Sequence, residues 1–264
     1  MCKKLFVLVL AVSVTNVALA DYCPGYQPFP IVGTLVAHYN FDEGSGTTLI
    51  DSVGGHNATI LNQDGSATTY NGWVTGHDGT AGGAYNFNGA VFGYQAGGAA
   101  MPGGPQQTVA FWFKGNSSII PGSRYPYSEA FYSNTGTLNY MDTSWCPYPP
   151  TTIATVVAGS GYSDQTYVAL GSAINDGSWH HIAMVKDATA GYLKIYLDLE
   201  LKSNVTGMTN TIPASTNLFI GSSVYGGTIW NGAIDDLQIY ATPEPATMAL
   251  LGLGALVLRR RIAR

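Results

Sequence analysis

The residues that could do chemistry are few and scattered. The chain of 264 residues holds five histidines and sixteen acids. His180-His181 is an adjacent imidazole pair of the kind that binds metal. On a strand, however, neighbouring side chains point to opposite faces, so the two rings cannot share an ion. One is expected to pack inward and the other to face outward. His38, His56 and His77 show no ligand spacing. Cutting a glycosidic bond takes two carboxylates flanking it, which on a sheet means acids alternating along one strand. Apart from Glu244 near the C-terminus, the chain has only Glu43, Glu129 and Glu200, none in an E-x-D-x-x-E run. No G-x-S-x-G elbow, H-E-x-x-H pair, phosphate loop or C-x-x-C motif occurs. The pattern points away from an enzyme and names no catalytic residue.

Binding chemistry has more candidates. A calcium ion wants several hard oxygens, including one or two carboxylates. Asp42 follows the first extended run, Asp51 lies in the next turn, and Asp235-Asp236 lie in the last run. If the first and last strands are neighbours, Asp42 and Asp235 could approach one another around a structural ion. The alternative, that these acids make turn hydrogen bonds and solvated faces, is the stronger reading. Calcium is the only cofactor suggested. Trp73, Trp145 and Tyr148 lie in or beside loops, where flat rings can stack on sugar faces or on a partner protein. Trp145, beside Cys146, is the preferred ligand-facing candidate. Trp112 and Trp179 sit inside strand patterns and are expected in the core, and Trp230 is expected to pack locally.

The elements that position these residues read as strands. LVAHYNF (35–41) alternates Leu35, Ala37, Tyr39 and Phe41 on one face. QTVAFWFK (107–114) sets Val109, Phe111 and Phe113 opposite Ala110 and Trp112. WHHIAMVK (179–186), YLKIYLD (192–198), NLFIGS (217–222) and AIDDLQIY (233–240) follow the same period of two. Gly, Asn, Asp and Ser turns separate them. About a dozen strands are expected, in an all-β, two-sheet antiparallel sandwich. Residues 142–166 look least regular and are expected to form a surface loop or insertion.

The two ends carry addresses. Residues 1–20 have lysines, an apolar run and an Ala18-Leu19-Ala20 site, the pattern of a secretory signal peptide. Cleavage would remove Cys2 and leave Cys23 and Cys146, which in an exported protein are expected to form a disulfide. Between Asp21 and Thr242 there are five basic and fifteen acidic residues, a net charge of −10. Such a surface repels phosphate backbones, so nucleic acid is excluded as a partner. At the other end, Ala246–Leu258 is uninterrupted and apolar. As a helix it would span about 20 Å, short of a hydrocarbon core of roughly 30 Å. Arginines at 259, 260, 261 and 264 would hold that end in the cytoplasm.

Several segments resemble the laminin G-like, concanavalin A-like jelly-roll domains. These are LVAHYNFDEGSGTTLIDSVGGHNATI, GGAYNFNG, QTVAFWFK, DGSWHHIAMVKDATAGYLKIYLDLEL and NLFIGSSVYGGTIWNGAIDDLQIY, in that order over residues 33–241. Two departures stand out. Asp198-Leu199 replaces the usual Asp-Gly of a hairpin, and leucine resists φ > 0, so a turn other than type I′ is expected there. Ala90-Val91-Phe92-Gly93 replaces the acids that follow the F-[DN]-G turn in members that hold calcium.

The tail is similar to the PEP-CTERM sorting signal of Gram-negative bacteria: Pro243, Glu244 and Pro245, a short apolar run, then Arg259, Arg260 and Arg261. That resemblance implies recognition by an exosortase-type processing enzyme. It also implies transient anchoring in the inner membrane, then loss of the tail and delivery to the cell surface or an exopolysaccharide matrix.

The organisation expected is a signal peptide (1–20), an N-terminal arm (21–32), a jelly-roll domain (33–241) and a sorting tail with a short transmembrane helix (242–264). The function expected is non-catalytic binding of an extracellular polysaccharide or another envelope component. The alternatives are a structural matrix protein without a specific ligand and, behind it, a polysaccharide-active enzyme.

Overall fold

The computed structural model describes residues 29–101, 103–115, 131–134, 141–146, 152–157, 165–169, 176–211, 215–221 and 230–242. Residues 1–20, expected to be a signal peptide, lie outside them, as do Cys23 with its expected disulfide, Tyr148 and the whole tail from Pro243 with its expected helix. Among the described residues there is no helix, and hence none long and apolar enough to cross a membrane.

The strands run in chain order as β1 (Thr34–Tyr39), β2 (Thr48–Leu49), β3 (Ala58–Asn62), β4 (Trp73–Val74), β5 (Ala84–Asn86), β6 (Val91–Met101), β7 (Gln106–Gly115) and β8 (Phe131–Asn134). They continue as β9 (Met141–Cys146), β10 (Thr152–Val157), β11 (Gln165–Ala169), β12 (His180–Asp187), β13 (Tyr192–Leu197), β14 (Glu200–Thr206), β15 (Ser215–Ile220) and β16 (Gly232–Ala241). The six runs expected from alternation all appear. The larger total comes from short strands such as β2, β4 and β5, too brief to show a period, and from β9 to β11.

An eight-stranded antiparallel sheet has the order β14-β13-β12-β7-β16-β5-β4, with β1 also on β16. A five-stranded sheet runs β2-β3-β6-β15-β8. Their facing sides make one core. Tyr39, Tyr85, Phe111, Ile182, Ile195 and Ile239 come from the first sheet, and Leu49, Ile60 and Leu218 from the second; all are fully or almost fully buried. Each such side chain contributes about 1.5–3 kcal/mol by leaving water.

Two expectations are corrected. Within residues 142–166 the described residues are not an irregular loop: β9, β10 and β11 form a regular antiparallel sheet of their own. Ile153, Thr155, Val156, Thr166 and Val168 explain it, because β-branched side chains suit an extended backbone. The β13–β14 hairpin does use a type I′ turn, with φ of 50° at Asp198 and 68° at Leu199. The left-handed leucine costs about 1–2 kcal/mol. Asp198 offsets that cost: its carboxylate accepts from His181 N–H at 2.9 Å and from the His180 ring at 2.8 Å, tying the turn to β12.

Strand β16 organises the site. One side pairs with β7. The other side pairs with β5 at Ala233 and Ile234, then with β1 from Leu237 to Ala241. An irregularity between Asp235 and Gln238, with φ of 49° at Asp236, marks the handover.

Candidate functional site

Alternation along the eight-stranded sheet leaves a second face turned away from the core. Ala110, Ala183, Val185 and Tyr196 form a buried apolar cluster there. Phe29 and Val32 of the arm pack against it. The arm is fastened by Val32 N–H donating to Thr108 Oγ1 at 3.0 Å and by the Thr108 hydroxyl donating to Val32 O at 3.2 Å.

Trp112 lies on this outer face, not in the core as expected. Alternation requires it, since Phe111 and Phe113 take the inner side. The half-buried indole is stacked with His77, centroids 4.4 Å apart and planes 10° apart. On its other side it meets His181 edge-on at 5.1 Å, and His181 stacks on Phe29 at 5.4 Å. A row of rings thus crosses the sheet from His77 to the arm.

Carboxylates hold the near end of that row. Asp235, only 3 % exposed, accepts from the His77 backbone N–H at 2.9 Å and from its ring Nδ1 at 2.7 Å, across 158 residues of sequence. Burial disfavours the imidazolium of His77, but the Asp235 hydrogen bond and charge outweigh it and raise the pKa. Gly76 is required beside this pair, because a Cβ there would press on Gly83 O at 2.7 Å and on Asp235 Oδ2 at 2.9 Å. Next to it, His38 donates to Asp236 at 2.7 Å, and that bond raises the His38 pKa. Gln238 and Tyr240 extend the network from Asp236 along β16. His181 behaves oppositely: burial depresses its pKa to about 4, and its Nδ1 has no hydrogen-bond partner. His180 turns the other way, beside Phe113 at 5.9 Å and between Asp176 and Asp198. The adjacent pair therefore divides between faces.

On the same face, toward the far end of β7, the described residues line a groove of about 420 Å³. Its lining includes Val74, Thr75, Asn86, Lys114, Gly177 and Gly232. Lys114 follows Trp112 by two on β7, and Thr75 precedes His77 by two, so groove and ring row share one surface. Gly232 forms the floor, where a Cβ would collide with Lys114 O and the Trp230 indole. The described lining offers amide and hydroxyl groups and one cation.

The residues singled out from sequence are dispersed. Trp73 packs edge-on against Tyr85 at 5.1 Å and donates its indole N–H to Gly46 O at 3.0 Å, at the core margin. Its neighbour Val74 reaches the groove instead. Trp145 and Cys146 lie on β9, opposite Ile153 and Thr152. Asp42 is exposed and accepts from Asn40 at 2.9 Å, whereas Asp235 is engaged by His77, so each has its own partner. Among the described residues no group of three or more His, Cys, Asp or Glu is placed to hold a metal ion. Asp51 serves its turn. Burial opposes its ionisation, but backbone N–H groups of His38, Val53, Gly54 and His56 outweigh that and lower its pKa. Trp230 is buried, as expected. Trp179 is half-buried at the mouth of β12. The residues missed were His77, Asn86 and Lys114; the outward phase of Trp112 and Lys114 on β7 was the signal available for the last.

Comparison with known proteins fits this architecture. The family profile of the concanavalin A-like lectin/glucanases superfamily matches residues 78–246, and that of the PEP-CTERM protein-sorting motif matches 241–262. The Sushi, von Willebrand factor type A, EGF and pentraxin domain-containing protein 1 of Rattus norvegicus is 28 % identical over 134 residues, as is that of Mus musculus. The match takes in 50 % of this chain but only 3 % of those relatives' length. Domain 4 of the extracellular arabinanase AbnA from Geobacillus stearothermophilus, solved with arabinotriose, superposes with a TM-score of 0.58 at 20 % identity. That alignment covers 80 % of this chain and 93 % of the domain. The binding domain of botulinum neurotoxin serotype D gives 0.56 at 11 % identity, over 86 % of this chain and 52 % of that one.

Proposed function

Since the chain belongs to the concanavalin A-like lectin/glucanases superfamily and carries a PEP-CTERM sorting motif, we propose that it is an exported, non-catalytic carbohydrate-binding protein of the cell envelope or its matrix. The groove beside Trp112 is its sugar-binding surface. The observation that carries this is a groove of about 420 Å³ on the outer face of the sheet, lined by Thr75, Asn86 and Lys114. Sugar hydroxyls can meet such amide, hydroxyl and ammonium groups. Support comes from the arabinanase domain solved with arabinotriose and from a botulinum neurotoxin serotype D domain solved with N-acetylneuraminic acid. A non-catalytic role is supported by a described lining without Asp or Glu, since hydrolysis wants two carboxylates around one bond.

The tail does the targeting. An exosortase-type enzyme would recognise Pro243–Pro245, with Ala246–Leu258 and the arginines held briefly at the inner membrane. Deleting Pro243–Arg264 is expected to release the protein from the envelope fraction; a truncated form that stays bound would defeat this reading.

The binding reading is tested by titrating the exported protein and its Asn86→Ala variant against a broad glycan panel, with calcium and with chelator. Saturable binding by the wild type, lost in the variant, is expected. Loss with chelator would place a structural ion under the site. The absence of binding to any glycan would leave a structural matrix protein.

A further inference from the structure

We propose that the groove selects a sugar residue bearing a single negative charge, a uronic acid, with its carboxylate on Lys114. This rests on the carbohydrate-binding reading above.

Charge accounting points to it. The body carries a net charge of −10, so an anion finds few places to dock. Among the described residues the basic side chains are four lysines. Lys186 is buried and donates to Met208 O at 2.8 Å. Lys202 is paired with Glu200 at 2.7 Å. Lys194 lies over the Tyr192 ring at 4.2 Å. Lys114 lines the groove, is exposed, and has no carboxylate partner among the described residues. No acid lines the groove with it.

The acids at the groove's borders are already satisfied. Asp235, two residues beyond the lining Ala233, is held by His77 at 2.7 Å. Asp176, next to the lining Gly177, is held by His180 at 3.2 Å and by the Ser178 N–H at 2.7 Å. His77 offsets the charge of Asp235, and His180, shared between Asp176 and Asp198, offsets part of theirs. Among the described residues, Lys114 is therefore the cation that an anion meets in the groove. The Asn86 Oδ1 accepts from Asn88 N–H, which leaves the amide donors of Asn86 for a ligand.

The same accounting sets the charge of the ligand. A densely sulfated polymer needs several cations and is repelled by the rest of the body. One lysine matches one carboxylate per bound unit, with a charge-assisted hydrogen bond that a neutral sugar cannot supply.

The experiment uses the exported protein and three probes: a xylotriose carrying one glucuronic acid, its carboxyl-reduced counterpart, and dextran sulfate. Binding is measured by calorimetry for the wild type, Lys114→Gln and Lys114→Arg. The uronate is expected to bind about tenfold more tightly than its reduced form, with the gap shrinking at high salt. Lys114→Gln is expected to abolish that gap, and Lys114→Arg to restore it. Equal binding of the two trisaccharides by the wild type overturns the inference and leaves the sugar-binding reading intact. A gap that persists in Lys114→Gln, or binding of dextran sulfate alone, also overturns it. Failure of all three probes, together with failure of the glycan panel, removes both.

Discussion

At one end of its outer face the eight-stranded sheet is covered by its own chain; at the other end the described residues leave a groove. The covered end carries Ala110, Ala183 and Val185, with Phe29 and Val32 laid across them. The other end carries Lys114, Asn86 and Thr75 around that groove. The two ends share strands β7 and β16, so backbone geometry does not distinguish them. Side-chain chemistry does. Where a strap excludes water, small apolar groups and an uncharged histidine suffice. At the groove, polar groups and a cation face solvent or a ligand. Trp112 stands at the border.

Removing the border breaks the comparison most severely. Trp112→Ala loses both ring contacts, and an unfolding midpoint in urea should report a loss of about 3 kcal/mol, the low end for a large aromatic because this one is half-exposed.

Acid separates the two ends next. The unfolded His181 takes a proton near 6.5, while the folded one waits until about 4. The unfolded chain therefore binds more protons in that window, and stability falls as pH drops through it, by up to roughly 3 kcal/mol. His38 and His77 act with the opposite sign. Their pKa values are raised, so their contribution is complete below 6.5 and is lost as pH climbs through the folded values. His181→Phe should accordingly flatten the acid limb of a stability–pH profile and leave the neutral limb in place.

A smaller change sharpens the contrast. Phe29→Ala should cost about 1 kcal/mol from the lost stack. It should also let water reach His181, so that its pKa moves from about 4 towards 6.5 in an NMR titration. A pKa that stays put would mean the arm is not what dries the ring. Lys114→Gln closes the series, with a stability change under about 0.5 kcal/mol, as for other exposed positions.

Much of the architecture was legible because alternation is local. Val109, Phe111 and Phe113 announced the inner face of β7 in three residues. The same alternation assigned Trp112 to the outer face, yet an aromatic inside a strand pattern reads as core unless something shows that the other face is also partly covered. That cover is the arm at Phe29 and Val32, which has no period of its own. The His77–Asp235 pair was out of reach for a different reason. It joins a loop to a strand 158 residues away, and the irregular register at Asp235–Gln238 decides which acid faces the loop. The turn at Asp198-Leu199 was misjudged because leucine's preference is local, whereas the bonds from Asp198 to β12 that override it are not. At residues 142–166, proline and glycine masked β-branched runs. The groove depends on β4, β5, β7 and β16 meeting, and no single segment carries that information.

Strand β16 begins at the groove floor, Gly232, and ends at Ala241, immediately before the tail. Nine steps of strand put about 30 Å between the two. If the chain is fixed to the cell surface at the C-terminal end of β16 and the groove holds a polymer, a pull between them runs lengthwise along this strand. Its antiparallel hydrogen bonds lie across the direction of pull. β7 grips one side almost throughout, and β5 and β1 share the other. The load falls on many bonds together, in shear, and does not open them one after another. A domain threaded in this way is a mechanical link as well as a binding surface.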